Sequence, residues 1–284
     1  MRRSSRIIGV VLLVLILLGA VIWYAVVRED SSGLLTVSFL DVGQGDAIFI
    51  ESPAGTQTLI DGGTGTAVLR QLSSVMPWYD RTIDALIGTH PDQDHIGGLV
   101  DILPRYGINT VITSSVIGRT ASAETFAHRI VEEGAHAVVA NRGQRVELGG
   151  GAYLEVLFPD RTVPNVETNV GCVVTRLVYG ETAFMLPCDT TVAVETYLVQ
   201  LGTTTLKSNV LKAAHHGSKT SSAPLFVGFV DPEFAVYSRG CDNTYGHPSP
   251  ETIATFEKFG IPTLDTCTLG TVTFVSDGHT VQLK

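Results

Sequence analysis

The segment Thr89-His90-Pro91-Asp92-Gln93-Asp94-His95-Ile96-Gly97-Gly98 places two imidazoles and two carboxylates within six positions, directly after the apolar run Ile83–Gly88. A short β-rich run that stops at glycine and is followed by metal-type ligands sets those side chains in a turn at a sheet edge, where donors converge. A helix is expected to start near His95, and its N-terminal end favours carboxylates. A solvated acidic turn with incidental histidines would not need this density of ligands.

Two further strand ends carry the same kind of group. Asp189 follows the run Ala183–Leu186 after Pro187-Cys188, and His215-His216-Gly217-Ser218 follows Asn209–Ala214. Alone, an Asp at a strand end reads as a helix cap; beside the first cluster it reads as a ligand. Ligand counting then gives a dinuclear site, because a bridging carboxylate lets two ions share six or seven protein groups. His90 and Asp92 serve one ion. Asp94, His95 and one of His215 or His216 serve the other, with Asp189 between them. A carboxylate at Asp92, where an imidazole is usual for zinc, hardens the first position toward Mn²⁺ or Mg²⁺ and leaves Zn²⁺ open.

From Leu34 onward short β-rich runs alternate with helical stretches, without a linker or repeat, over a length that suits one domain spanning 31–284. Strands are expected from Leu35–Leu40 through Thr280–Leu283, with none between Ala140 and Tyr153 or between Tyr237 and Val272. Helices are expected at Ala67–Met76, His95–Tyr106, Ala123–Glu133, Val192–Leu201 and Pro250–Phe259, with Ser122 and Ser249 as N-caps. Tight connections such as Tyr179-Gly180-Glu181-Thr182 favour two mixed sheets with helices outside over a plain doubly wound sheet.

Residues 1–30 differ in kind. Ile7 to Val27 is uncharged and apolar, long enough to span a bilayer as one helix, with Arg2, Arg3 and Arg6 before it and Arg28-Glu29-Asp30 after it. The positive flank predicts a cytoplasmic N-terminus and an extracytoplasmic remainder; the run exceeds the usual apolar core of a cleaved signal peptide. Beyond the three leading arginines stand 16 basic against 28 acidic residues, a net charge of −12. Such a surface repels polyanions, so nucleic-acid chemistry would need local metals or a local basic patch rather than a general electrostatic grip.

The chain resembles the metallo-β-lactamase superfamily, whose H-x-H-x-D-H motif becomes His90-Pro91-Asp92-Gln93-Asp94-His95 here, with the second histidine replaced. Within it the chain is most similar to the C-terminal hydrolase domain of ComEC-type DNA-internalisation competence proteins. Phe39-Leu40-Asp41-Val42-Gly43-Gln44-Gly45-Asp46, Leu59-Ile60-Asp61-Gly62-Gly63, Ala214-His215-His216-Gly217-Ser218 and Tyr245-Gly246-His247-Pro248 carry that likeness across about 35–284. The resemblance implies an α/β four-layer αββα sandwich holding two divalent ions, Mn or Zn, with His216 among the ligands. It also implies phosphodiester hydrolysis, with DNA, in single-stranded form, as the expected substrate and a membrane as the second partner. His215 or His247 would protonate the leaving oxygen, and Asn169, Ser218 and Asn243 would contact substrate. Asp41 and Asp61 would orient the metal-binding imidazoles.

Two departures matter. Cys188 stands where the family commonly has glycine, and is expected to disturb the second ion. Asn169 is the nearest counterpart of the usual third histidine of the first site. In this fold Cys241 and Cys267 fall in neighbouring loops, which predicts a disulfide in an extracytoplasmic domain. Cys172 and Cys188 fall one residue out of register on a hairpin, on opposite faces, and are expected to stay reduced. His128, His136 and His279 lie outside every motif, and Gly43-Gln44-Gly45 is not followed by the helix a nucleotide loop requires. A surface phosphocholine-type phosphodiesterase and a non-catalytic metal-bound DNA-binding domain are the alternatives; Asp92 disfavours β-lactam hydrolysis.

Overall fold

The computed structural model describes residues 2–29, 33–202 and 205–284; the domain boundary expected at 30/31 lies outside the described residues. Helix α1 (Arg2–Glu29) contains the stretch Ile7–Tyr24, of mean hydropathy 2.9, none of it buried. It is long and apolar enough to cross a bilayer.

The remainder builds two sheets. Strands β1 (Leu35–Phe39), β2 (Ile48–Glu51), β3 (Gln57–Ile60), β4 (Thr82–Gly88), β5 (Gly107–Thr113) and β6 (His136–Val139) run in sequence across the first. The second holds β7 (Arg145–Gly149), β8 (Ala152–Phe158), β9 (Val174–Tyr179), β10 (Thr182–Leu186), β11 (Val210–Lys212), β12 (Phe234–Tyr237) and β13 (Thr263–Asp265). The chain then returns, and β14 (Val272–Ser276) and β15 (Val281–Leu283) extend the first sheet beside β1.

The period of two along each strand sorts its side chains into layers. Val37, Phe39, Ile48, Ile50, Ile60 and Phe274 face Leu177 and Phe184 between the sheets. Phe49 and Leu59 turn outward to α2 (Ala67–Val75), α4 (Leu99–Ile102) and α5 (Ala121–Glu133). On the far side Met185, Leu211 and Ala235 meet α6 (Val192–Leu201), α7 (Pro224–Val230) and α8 (Pro250–Lys258). This is the expected helix–sheet–sheet–helix sandwich.

Several expectations are corrected. The single helix expected over 95–106 is two short ones, α3 (Gln93–Ile96) and α4, joined by Gly97-Gly98. The loop at 62–65 crosses there so closely that a Cβ on Gly98 would lie 2.0 Å from the Gly62 carbonyl oxygen. Thr120, not Ser122, caps α5, accepting the amide of Ala123. Strand β7 is an addition: Arg145 and Glu147 face solvent while Val146 and Leu148 turn inward, an alternation that only two apolar residues carry. The three-residue edge strand β13 is a second, too short to show an alternation of its own. Helix α7 is a third: Pro-Leu-Phe-Val-Gly-Phe-Val has no polar stripe to signal a helix.

Cys241 and Cys267 are joined by a disulfide, as expected, which ties the loop after β12 to the short helix α9 (Thr266–Leu269). Cys172 and Cys188 are free and buried. The hairpin pairs Tyr179 with Thr182 as the two-residue turn requires. Its ladder stops at Thr175 and Leu186, however, and beyond it the two thiols meet, contrary to the expected opposite faces.

Candidate metal centre

Strands β3 to β6 run parallel to one another, as do β10 to β13, so both sheets deliver loops to one edge. The loop after β4 brings His90, Asp92, Asp94 and His95; that after β10 brings Asp189; that after β11 brings His215 and His216. Four of the six non-glycine residues with positive φ among the described residues lie here, namely Asp61, Cys188, His215 and His216. Each such conformation costs roughly 1–3 kcal/mol and persists because packing fixes it.

Three buried imidazoles point the same ring nitrogen inward. His95 Nδ1 contacts Asp61 Oδ2 at 2.8 Å, and Asp61 is itself held by the amide and hydroxyl of Thr89. His216 Nδ1 contacts the Ser238 carbonyl at 2.9 Å. His90 Nδ1 lies 3.1 Å from Thr89 Oγ1 and 3.3 Å from Cys188 Sγ. The Nε2 atoms of all three are buried and without hydrogen-bond partners among the described residues. Orphaned nitrogens at that depth are costly unless something accepts their lone pairs.

The donors close on two positions. His216 Nε2 is 3.2 Å from Asp189 Oδ2 and 3.3 Å from Asp94 Oδ2, and His95 Nε2 is 3.3 Å from Asp189 Oδ2. A tetrahedral site with bonds of about 2.0–2.1 Å separates neighbouring donors by about 3.3 Å. Those four groups therefore fit one divalent ion. The other position is poorer: His90 Nε2 faces Asp92 Oδ2 at 3.4 Å, and that oxygen also accepts from the Thr168 hydroxyl at 2.9 Å. Asn169, next to Thr168, turns a buried, unpartnered Oδ1 into the structure.

Electrostatics agree with the fit. Asp46, Asp61, Asp92, Asp94 and Asp189 gather at this edge with the Lys212 ammonium, and with the imidazoles neutral they carry four net negative charges that two divalent ions would offset. Burial works against charge on His95 and His216, yet Asp189 beside both overcomes it and carries both well above the ordinary histidine range. A site that draws protons so strongly onto its imidazoles favours any cation.

Two of these groups escape sequence reasoning. Asp46 is buried, with Oδ1 3.3 Å from His216 Nδ1 and Oδ2 2.5 Å from Lys212 Nζ. Gly45 just before it serves close approach, since a Cβ there would lie 1.9 Å from the Asp94 carbonyl oxygen. Lys212 is fully buried, and a lysine inside the apolar run Asn209–Ala214 was its signal. Asp61 does orient His95. Asp41 does not share that role, because its carboxylate accepts the Gly43 amide instead. Cys188 approaches His90 of the first position, not a ligand of the second.

The remaining candidates sit around the opening. His215 is part-exposed, with Nε2 3.7 Å from Asp189 Oδ2, and the His247 ring lies 5.7 Å from it. Ser218 is buried, and its hydroxyl is engaged with Thr220. Asn243 spends its amide within its own turn, donating to the Gly240 and His247 carbonyls and accepting the His247 amide.

A sequence model of the metallo-beta-lactamase superfamily matches residues 40–240. The chain belongs to that superfamily. Its metallo-β-lactamase fold is shared by the protein YhfI of Bacillus subtilis at a TM-score of 0.54 and 12% identity, over 81% of this chain and 95% of that one. ComE operon protein 3 of Bacillus subtilis is 27% identical over 260 residues, covering 84% of this chain and 32% of that protein. Competence protein ComA of Neisseria gonorrhoeae is 31% identical over 267 residues, covering 92% of this chain and 35% of that protein. The chain thus spans about a third of the length of the curated relatives it matches.

Proposed function

We propose that residues 31–284 act as a metal-dependent phosphodiesterase on DNA, held at the outer face of a membrane by α1. The observation that carries the chemistry is the convergence of the unpartnered His95 and His216 nitrogens with Asp94 and Asp189, beside the pair His90 and Asp92. Two divalent ions, Mn or Zn, would supply a water of lowered pKa and offset charge gathering on the phosphoryl oxygens. DNA as substrate is supported by the competence proteins to which the chain is similar.

The protein's own residues divide the remaining work. Asp61 and the Ser238 carbonyl fix the tautomers of His95 and His216, so both offer Nε2. Lys212 donates to Asp189 Oδ1 and leaves Oδ2 for the centre. Burial, reinforced by His215 and His216, lowers His247 to about 4, and burial lowers His215 as well, with Asp189 opposing. Both rings are therefore neutral at pH 7. They serve a departing oxygen by hydrogen bonding and proton relay, not as standing imidazolium acids.

The disulfide Cys241–Cys267 supports an oxidising, extracytoplasmic location independently of the arginines that open α1. The deciding experiment assays the full chain in detergent, with Mn²⁺ and with Zn²⁺. Substrates are single- and double-stranded DNA, a phosphocholine ester, a generic phosphodiester and a β-lactam. Cleavage of DNA that chelator abolishes is expected. Turnover of the phosphocholine ester alone would move the reading to a surface esterase, and metal binding without turnover would make the domain a binding module.

A further inference from the structure

We propose that Tyr245 is a stacking platform for a nucleobase of the substrate strand, deepening the phosphodiesterase reading on which it rests. Tyr245 is a large aromatic residue left 69% exposed, on the turn that also carries His247. Its ring lies 5.6 Å from the His247 ring at 23°, and His247 lies 5.7 Å from His215, whose Nε2 faces Asp189. An exposed phenol ring thus stands two rings outward from the carboxylate of the metal centre, with one flank on His247 and the rest in solvent.

That turn is held as a rigid support. Asn243 ties its ends through three hydrogen bonds, and the disulfide from Cys241 anchors its start. The Arg239 guanidinium pairs with Asp265 at 2.5 Å on the side toward β13. A platform whose backbone is already fixed loses little entropy when a base lies on it. Stacking is also the recognition mode open to an acidic protein: every base has a π face, and the interaction needs no basic groove. A base on Tyr245 must leave its neighbours in the strand, so the platform selects single strands over duplex.

The test compares a single-stranded oligonucleotide with the same backbone carrying abasic residues, using the full chain loaded with Mn²⁺. Wild-type protein is expected to favour the base-bearing strand by about tenfold in kcat/KM, chiefly through KM. In Tyr245→Ala that ratio should fall toward one, whereas Tyr245→Phe and Tyr245→Trp should keep it. If Tyr245→Ala slows both substrates alike and the ratio stands, Tyr245 merely props His247 and the proposal is overturned. If wild-type protein cleaves no phosphodiester, the reading of the preceding subsection fails, and equilibrium binding of the two labelled oligonucleotides decides the platform separately. Base-dependent binding lost in Tyr245→Ala would uphold it, and equal binding of both strands to wild type would overturn it.

Discussion

Lys212 Nζ stands 2.5 Å from Asp46 Oδ2 and 3.3 Å from Asp189 Oδ1, and all three side chains are shut away from water. The third direction of the ammonium is taken by the Cys188 carbonyl at 3.1 Å. Burial alone would strip the lysine of its proton, but Asp46 and Asp189 reverse that, so it stays charged. Burial likewise opposes charge on Asp46, and there Lys212 and His216 overcome it. The pair is a fixed strut beneath the ligands.

Cutting that strut should be costly. Removing one partner of a buried ion pair typically costs 3–5 kcal/mol, because the other charge is stranded. Lys212→Met is expected to lower the unfolding free energy of the metal-free chain by about 3 kcal/mol, measured by denaturant titration in detergent. Adding Asp46→Asn to it should cost less than the two single changes together. A wild-type midpoint for Lys212→Met would show that the pair holds nothing.

How these groups arise also shows what the sequence reveals and what it hides. The candidate ligands His90, Asp92, Asp94 and His95 announce themselves by density in one turn, and the two-sheet architecture follows from alternating strands and tight turns. Asp46 and Lys212 hide because each is a single charge whose partner lies far along the chain, and pairing is a tertiary fact. Asn243 and Ser218 show a different limit: their polar atoms suit a substrate in the sequence, and the structure adds that local turns already engage them. The contact of Cys172 with Cys188 is hidden for a third reason, since register arithmetic holds only while the ladder lasts.

The two metal positions should differ in strength. Four protein donors surround one, while Asp92 and His90 form the other and Thr168 already occupies part of Asp92. Elemental analysis after dialysis against chelator should show two ions leaving in separate steps. Asp189→Ala should bind neither firmly, and Asp92→His should raise affinity for zinc relative to manganese, as a softer donor replaces oxygen. Full double occupancy in Asp189→Ala would rule out the bridging role expected of Asp189.

His247 separates catalysis from ligation. It touches the His215 ring and none of the four donors of the stronger position. His247→Ala should therefore keep its metal while losing about a hundredfold in turnover, the range of a lost proton-transfer partner. Unchanged DNA cleavage would make the turn structural and leave proton transfer to His215.

Glu195 predicts a pH effect away from the metals. Its side chain is buried on α6 and accepts the amides of Ser222 and Ala223 at 2.7 and 2.8 Å, just ahead of α7. Burial pushes its carboxyl up to about 7, with the two amides pulling back, against 4.5 for the free group. Between those values the folded chain keeps a proton that the unfolded chain releases. Stability from this group is thus full below pH 4.5 and falls as pH rises through 7, by about 3 kcal/mol in all. Subtracting the pH profile of Glu195→Gln from that of wild type isolates the effect, and identical profiles would refute it.

Orientation in the membrane is tested by joining two independent features. Arg2, Arg3 and Arg6 at the start of α1 favour a cytoplasmic N-terminus, which would send the metallo-β-lactamase domain across. The disulfide Cys241–Cys267 is of a kind that oxidising compartments favour, and it closes a segment of separation 26. By the chain-entropy relation such a loop contributes about 3 kcal/mol, less any strain. Protease added to intact cells should remove a C-terminal tag, and a non-reduced digest of exported protein should show Cys241 linked to Cys267 with Cys172 and Cys188 free. Cys241→Ser with Cys267→Ser should lower the unfolding midpoint and slow DNA cleavage, because the loop that leads to the His247 turn loses its anchor. A tag protected until the membrane is broken, together with free thiols at both positions, would place the domain inside. The disulfide and the outward orientation would then fall together, while the metal centre, which needs neither, would stand.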